Sequence, residues 1–417
     1  MLIVGFISAS IFLTSSEVSQ AALKIPVVDI TKSVLIQDAT DFLGMTRFNE
    51  GWLVAGTGAQ GKSWIASLNQ RGEESWRISP IDLGLGGDGF ITAIAADSLG
   101  ATVAGISQSE LSVISNLTPT PSPTPSTTVT ATPAASPSKN LPLVNPDNVV
   151  IRDEQPFRKD LSNIFIARID VSGVVTKFIN TQNPAGFVPS SIVVSSKDYF
   201  LVGNESVGES STRGALYKFD NQGLVSSYSF GKTKTSFNKA IANSSKYITI
   251  VGSSGESVAN RKVVGQADGI ILSVSTATGK VNRILRSSGV GAIRSWEFAS
   301  GNLLVSGTSQ TKSLRESVIT SFTVKGAVGW TTRFQKSDFA LADQNCVAVS
   351  LLGASVGLPF NPKTPEIFLY MVDGKGKIQR GARFPNQGLV SLVATPAKGC
   401  AMITYSNSAG TRMSYLQ

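Results

Sequence analysis

Short apolar runs of β-forming residues recur along the chain, each after a polar turn and most ending in glycine. They are WLVAG to Gly56, TVAG to Gly105, FLVG to Gly203, TIVG to Gly252 and LLVSG to Gly307. Two degenerate copies follow, CVAVS to Ser350 and CAMIT to Thr404. The spacings are 49, 98, 49, 55, 43 and 54, and the outlier contains a visible insertion. Seven copies of a unit near 50 residues therefore cover the chain. Downstream of the runs lie tight turns: Asn69-Gln-Arg-Gly72, Asp170-Val-Ser-Gly173, Asp220-Asn-Gln-Gly223, Thr276-Ala-Thr-Gly279, Thr323-Val-Lys-Gly326 and Asp373-Gly-Lys-Gly376. A short polar side chain bonds the turn's own backbone, and glycine three residues later supplies the left-handed conformation that closes a hairpin. Upstream of each run is another apolar segment, from FLGMTRF in the first unit to LVSLVA in the last.

Each unit thus reads as four short antiparallel strands, a to d. Four strands with a period near 50 predict an all-β chain folded as a seven-bladed β-propeller of four-stranded blades. The seventh unit supplies its strand c at residues 412–417 and no d. Lys24–Leu35 is expected to pair there as an N-terminal strand that closes the ring and leaves no open edge.

Residues 118–138 (TPTPSPTPSTTVTATPAASPS) are a Thr/Pro/Ser tract. With its flanks, about residues 117–146, it forms a disordered insertion between strands b and c of blade two, not an interdomain linker. Residues 22–417 are therefore one propeller. The other long connections also fall between b and c, as in SSGESVANRKVVGQAD after Gly252 and LGASVGLPFNPKTPE after Ser350. Insertions gathered on one rim mark the binding face of a repeat protein. The candidate face residues are Asp88, Arg261, Lys262, Lys312, Arg315 and Lys363.

A glycine with tryptophan four residues on occurs at Gly72 and Trp76 and again at Gly326 and Trp330; Ala277-Thr278-Gly279-Lys280 has the same turn. With these residues the chain resembles bacterial secreted propellers with degenerate quinoprotein-like (PQQ-type) repeats. The resemblance implies that each indole docks between blades. Lys177, Ser227, Arg283 and Arg380 stand where the remaining units would carry it. A quinone-cofactor enzyme would need an acidic metal site and stacking aromatics at the channel mouth, and no such cluster is seen, so no cofactor and no metal are expected.

Composition narrows the chemistry further. The 417 residues include no histidine, which removes every Ser-His, Cys-His and His-metal site. Net charge is +9 and uneven: residues 1–116 carry 6 basic and 11 acidic side chains, residues 146–417 carry 30 and 17. The basic residues are scattered without aromatic interleaving, so nucleic acid is not an expected partner. Residues 2–13 are apolar, and Ser19-Gln20-Ala21-Ala22 follows as a small-residue cleavage site. Residues 1–21 are read as a signal peptide or N-terminal anchor, the one segment available for membrane association, which implies an extracellular or cell-envelope location. Cys346 and Cys400 align at the first residue of strand b in blades six and seven. Equivalent positions in packed sheets lie about 10 Å apart, beyond the ~7 Å a disulfide spans, so two reduced thiols are expected.

The remaining motifs are weak. Gly84-Leu-Gly86-Gly87-Asp88-Gly89 fits a dinucleotide fingerprint but joins two strands, with no helix to follow. Asp373-Gly-Lys-Gly-Lys has a lysine, Lys377, where a calcium loop needs a ligand. Strand a carries few acids: Asp41, Glu297, Asp338 and Asp343. Glu297, beside Arg294 and Trp296, reads as a structural pair and not a catalytic acid. No catalytic residue is assigned. The expectation is a monomeric binding or scaffold module engaging a protein or an anionic cell-envelope polymer through the b–c rim. The alternative is a propeller hydrolase or lyase acting on a polysaccharide.

Overall fold

In the computed structural model, residues 25–108 and 162–416 are described, except 29–32, 59–60, 81, 84, 86–88, 184, 196, 209–210, 243, 302, 313, 324, 357, 359, 396–398 and 407–409. Residues 1–21, expected to be a signal peptide or anchor, the whole insertion at 117–146 and Asp88 lie outside the described residues.

Seven antiparallel four-stranded sheets form a seven-bladed β-propeller. Blades one to six occupy residues 41–78, 89–182, 187–230, 235–287, 293–335 and 337–385, each in the order a-b-c-d. Blade seven takes a, b and c from residues 388–416. Strands b and c are buried along almost their whole length, as in Ser63–Leu68 and Glu366–Val372, because both sheet faces meet neighbouring blades. The outermost strands mix exposed and covered positions, as in Val328–Gln335.

The recurrent glycine has a steric cause. Every strand a carries an extra residue: Leu43, Thr92, Ser190, Asn238, Glu297, Asp338 and Val390 each interrupt the a–b register. This bulge presses a strand-a carbonyl onto strand b. A Cβ on Gly105 would sit 1.9 Å from the Phe90 carbonyl oxygen, and on Gly203, Gly252 or Gly307 2.0 Å from that of Val188, Ser236 or Ser295. The glycine is required by close approach. In blade six the register places Leu351 at this position, opposite Ser337, one residue beyond the Ser350 that the pattern suggests.

A second glycine, in the c–d turn, receives a side chain from the preceding blade. Gly173 and Gly376 have φ of 90° and 80°, and a Cβ there would meet Trp76 at 2.8 Å and Trp330 at 2.5 Å. The Trp76 indole N–H donates to the Val171 carbonyl at 3.2 Å. Both tryptophans therefore dock between blades as expected. Tyr228 does the same beneath Gly279, Leu285 beneath Gly326 and Val34 beneath Gly72.

The N-terminal strand closes the ring. Val34 and Leu35 pair with Met413 and Arg412, and Ile36 N–H donates to Thr411 at 2.9 Å. The upstream part of the segment goes elsewhere: Val27 bridges in parallel to Arg383, on the outer strand of blade six. In blade two, Ser107 pairs with Asn163, so the 109–161 span joins strands b and c of one sheet.

The cysteines overturn the expectation of free thiols. Cys346 and Cys400 form a disulfide with Cα atoms 5.8 Å apart. The two positions are not equivalent. Cys346 lies five residues before Leu351, whereas Cys400 lies four before Thr404, which occupies the matching place opposite Leu389. Successive side chains on a strand point to opposite faces, so a one-residue offset turns the two sulfurs toward each other. Cys346 and Ala348 accordingly pack with Cys400 and Met402, while Val347 and Val349 pack toward blade five. Blades also converge toward the axis, which shortens the distance below the spacing of flat packed sheets.

Native protein should take up no thiol label until it is reduced, and then two. The link closes a 54-residue separation, so the paired Cys346→Ser and Cys400→Ser change should lower stability by about 4 kcal/mol on the chain-entropy model. Urea unfolding midpoints of the oxidised parent and the double variant check this; equal midpoints would refute it.

Candidate functional site

Two regions gather polar chemistry: the channel on the ring axis and the rim that carries the b–c connections. The channel holds about 360 Å³ and is lined by strand a of all seven blades, with Arg47, Thr92, Ser191, Lys239 and Asp343 among its polar residues. The bulges organise its wall. Ser190 Oγ donates to the Phe237 carbonyl at 2.8 Å, and Asn238 Nδ2 to that of Trp296 at 2.9 Å, each reaching into the next blade.

Lys239 and Asp343 are the titratable pair of this wall. Burial holds the Lys239 amine below the ordinary lysine range, and the Asp343 charge opposes that shift. Burial pushes Asp343 up, while the Ala394 N–H, donating at 2.9 Å, and Lys239 pull it down. Lys239 makes no ion pair with a described carboxylate.

Glu297 and Asp338 are the bulge residues of blades five and six. Burial raises the Glu297 carboxyl; the Thr308 hydroxyl donates to it at 3.2 Å and Arg315 opposes the rise, while Asp338 adds to it. The pairing with Arg294 read from the sequence is not formed. Arg294 instead bonds Ser287 and lies over Trp296, its guanidinium carbon 5.5 Å from the ring centroid. Strand alternation accounts for this: residues three apart face opposite sides of the sheet, and Glu297 lies on the side of Thr308 while Arg294 lies on that of Trp296.

The rim has its own repeated motif. An acid opens strand c and an arginine follows on strand d: Asp268 with Arg286 at 3.0 Å, Glu316 with Arg333 at 2.6 Å, Glu366 with Arg383 at 2.9 Å. In each blade the arginine lies two residues from the position directly opposite the acid, a diagonal cross-strand pair. The sequence signal was present and unread: the partners are 18, 17 and 17 residues apart. Burial works to raise Asp268, yet the N–H groups of Gly265 and Val264 and the Arg286 guanidinium hold it below the ordinary range. Glu256 is likewise raised by burial and lowered further by the backbone N–H groups of Lys234, Lys232 and Thr233 and by the Thr235 hydroxyl, for a net depression. Those bonds join the connection at 231–234 to the b–c loop of blade four, so d–a and b–c connections share one rim.

Asp268, Glu316, Glu366 and Glu256 are thus engaged inside the protein, and the loop cations of this rim are not. Arg261 and Lys262 stand on blade four, Lys312 on blade five and Lys363 on blade six, all exposed and none ion-paired with a described carboxylate. Arg315 is 3.8 Å from Asp338, with both side chains largely exposed. Five of the six candidate residues therefore fall on one arc of three consecutive blades. Among the described residues, no cluster of three or more side chains is placed to hold a metal ion.

No family model matches the chain, and no curated protein does. Solved structures similar to it include an acylaminoacyl peptidase of Pyrococcus horikoshii, at 10% identity and TM-score 0.46 over 93% of this chain and 52% of that one. A quinohemoprotein alcohol dehydrogenase from Comamonas testosteroni is similar at 8% identity and TM-score 0.46, over 94% and 69%. A subtype N11 neuraminidase-like protein of a flat-faced bat strain is similar at 8% identity and TM-score 0.40, over 94% and 93%.

Glu297 gives a pH test. Its folded-state carboxyl is raised, so stability is fullest below the ordinary glutamate range and declines as pH climbs through the raised value. Glu297→Gln should therefore raise the thermal midpoint at about pH 7.5 and make no difference near about pH 4. Melting curves at both pH values decide; a variant less stable at the higher pH would contradict the assignment.

Proposed function

We propose that the protein is a secreted or envelope-associated binding module that engages an anionic cell-surface polymer through the b–c rim of blades four to six. One observation carries this reading: the acids that open strand c in blades four to six are tied into internal arginine pairs, while Arg261, Lys262, Lys312 and Lys363 stay exposed without a described carboxylate partner. Cations left uncompensated along one arc attract an extended polyanion by summed field, with no single deep pocket needed. The mechanism is multivalent charge contact, which salt screens.

A second reading rests on Glu297 and Asp338, the bulge residues of adjacent blades, where the Asp338 charge adds to the rise of the Glu297 carboxyl. It makes the protein a polysaccharide hydrolase or lyase with Glu297 as the proton donor. Turnover of an anionic polysaccharide that disappears in Glu297→Gln would establish it.

The binding reading predicts that dextran sulfate is retained and neutral dextran is not. Reversing Arg261, Lys262, Lys312 and Lys363 to Glu should weaken retention by roughly tenfold or more, and the interaction should fade above about 0.5 M salt. Lys375→Glu, in the c–d turn on the opposite rim, should leave it unchanged. Equal loss from both rims, measured by equilibrium binding, would remove the basis for assigning the site.

A further inference from the structure

The arc that carries the cations also exposes aliphatic side chains, and a soluble polyanion gives no reason to keep those in water. Val290 is 94% exposed, Val356 79%, Val264 57% and Leu352 55%. Isolated exposed aliphatics are ordinary on a protein surface, but these four share one stretch of rim with the unpaired cations. Val264 lies in the b–c loop of blade four, Val290 in the connection from blade four to five, and Leu352 and Val356 in the b–c loop of blade six.

These side chains do not hang from slack chain. The Val264 N–H is held by Asp268 Oδ2 at 3.0 Å, and the same buried carboxylate takes the Gly265 N–H at 2.8 Å. Gln266 N–H donates to the Ala292 carbonyl at 2.8 Å, which fastens this loop to the connection that bears Val290. Leu352 N–H donates to the Lys336 carbonyl at 2.7 Å, which fastens the blade-six loop to the connection after blade five. At Val264 and Leu352 the backbone is bonded and the side chain is still exposed.

We infer that this face docks on an anionic lipid bilayer. Val264, Val290 and Val356 enter the boundary between headgroups and acyl chains, while Arg261, Lys262, Lys312 and Lys363 meet the lipid phosphates. The inference rests on the anionic-surface reading above and names the surface. Charge complementarity selects an anionic leaflet. The exposed aliphatics select lipid over a soluble polymer, because only a bilayer offers hydrocarbon just behind its charges. Neither set suffices alone, since scattered cations bind any polyanion and a few valines bind no membrane firmly.

The full chain is tested by co-sedimentation with phosphatidylglycerol vesicles, with phosphatidylcholine vesicles and dextran sulfate alongside. The expected result is binding to phosphatidylglycerol and not to phosphatidylcholine. The pair Val290→Asn and Val356→Asn, which changes no charge, should cut vesicle affinity at least tenfold and leave dextran sulfate binding within about twofold. The four-residue charge reversal should reduce both. Wild-type protein that binds dextran sulfate but no vesicle overturns the lipid inference and spares the polyanion reading; protein that binds neither overturns both. Vesicle binding that ignores the valine pair also overturns the inference, and would assign the lipid contact to the apolar run at residues 2–13, which the variant retains.

Discussion

The ring rests on a steric contact made where strand a meets strand b. An extra residue in strand a drives a carbonyl against the next strand so closely that at Gly105, Gly203, Gly252 and Gly307 only a missing Cβ leaves room. The same extra residue frees a side chain from the ladder. Ser190 and Asn238 use that freedom to bond the backbone of the following blade, at the residue just before its own bulge. A local irregularity thus supplies the lateral linkage, and the outer edge adds a second one where Trp76, Tyr228 and Trp330 sit beneath glycine turns. Inner and outer contacts together fix the blade-to-blade angle, which the non-directional packing between them could not set alone.

Charge is sorted by depth. Near the start of strand c, acids are buried against arginines on strand d, where each pair must satisfy its own desolvation. Further out, the loops carry cations whose partners are solvent. The internal pairing makes the surface field positive although the whole chain is only moderately basic, +9 over 417 residues. Anchoring and field therefore share one cause in blade four, where Asp268 both pairs with Arg286 and holds the loop that bears Arg261 and Lys262.

The blade count, the strand order and ring closure were legible because each follows from a pattern with a period: the run ending in glycine, the Asx-type turn and the unfilled fourth strand. Register was not legible to one residue, and the failures have that common origin. Ser350 read as the glycine equivalent where the bulge selects Leu351, and the same slip made Cys346 and Cys400 look equivalent when they face each other. Arg294 and Glu297 read as a pair because they are near in sequence, although three residues apart on a strand they face opposite sides of the sheet. Lys239 drew no attention at all, since a lone lysine in a strand has no signature until the ring closes around it. The rim cations were found by loop length, and the acid–arginine pairs beside them were missed although their 17–18-residue separation repeats in three consecutive blades.

Closure by the N-terminal strand also dictates an order of assembly. Ser33 and Ser414 hydrogen-bond across 381 residues, and among the described strands Val34 and Leu35 pair with residues 410–416 alone. Blades one to six can each form from contiguous chain as it emerges during synthesis, whereas blade seven waits for both ends. Until then Met413 and its neighbours present an unpaired edge, and the first-made strand must stay unclaimed while every intervening blade folds. The bridge from Val27 to Arg383 ties the same short segment to blade six as well, so one stretch of chain joins both blades at the seam.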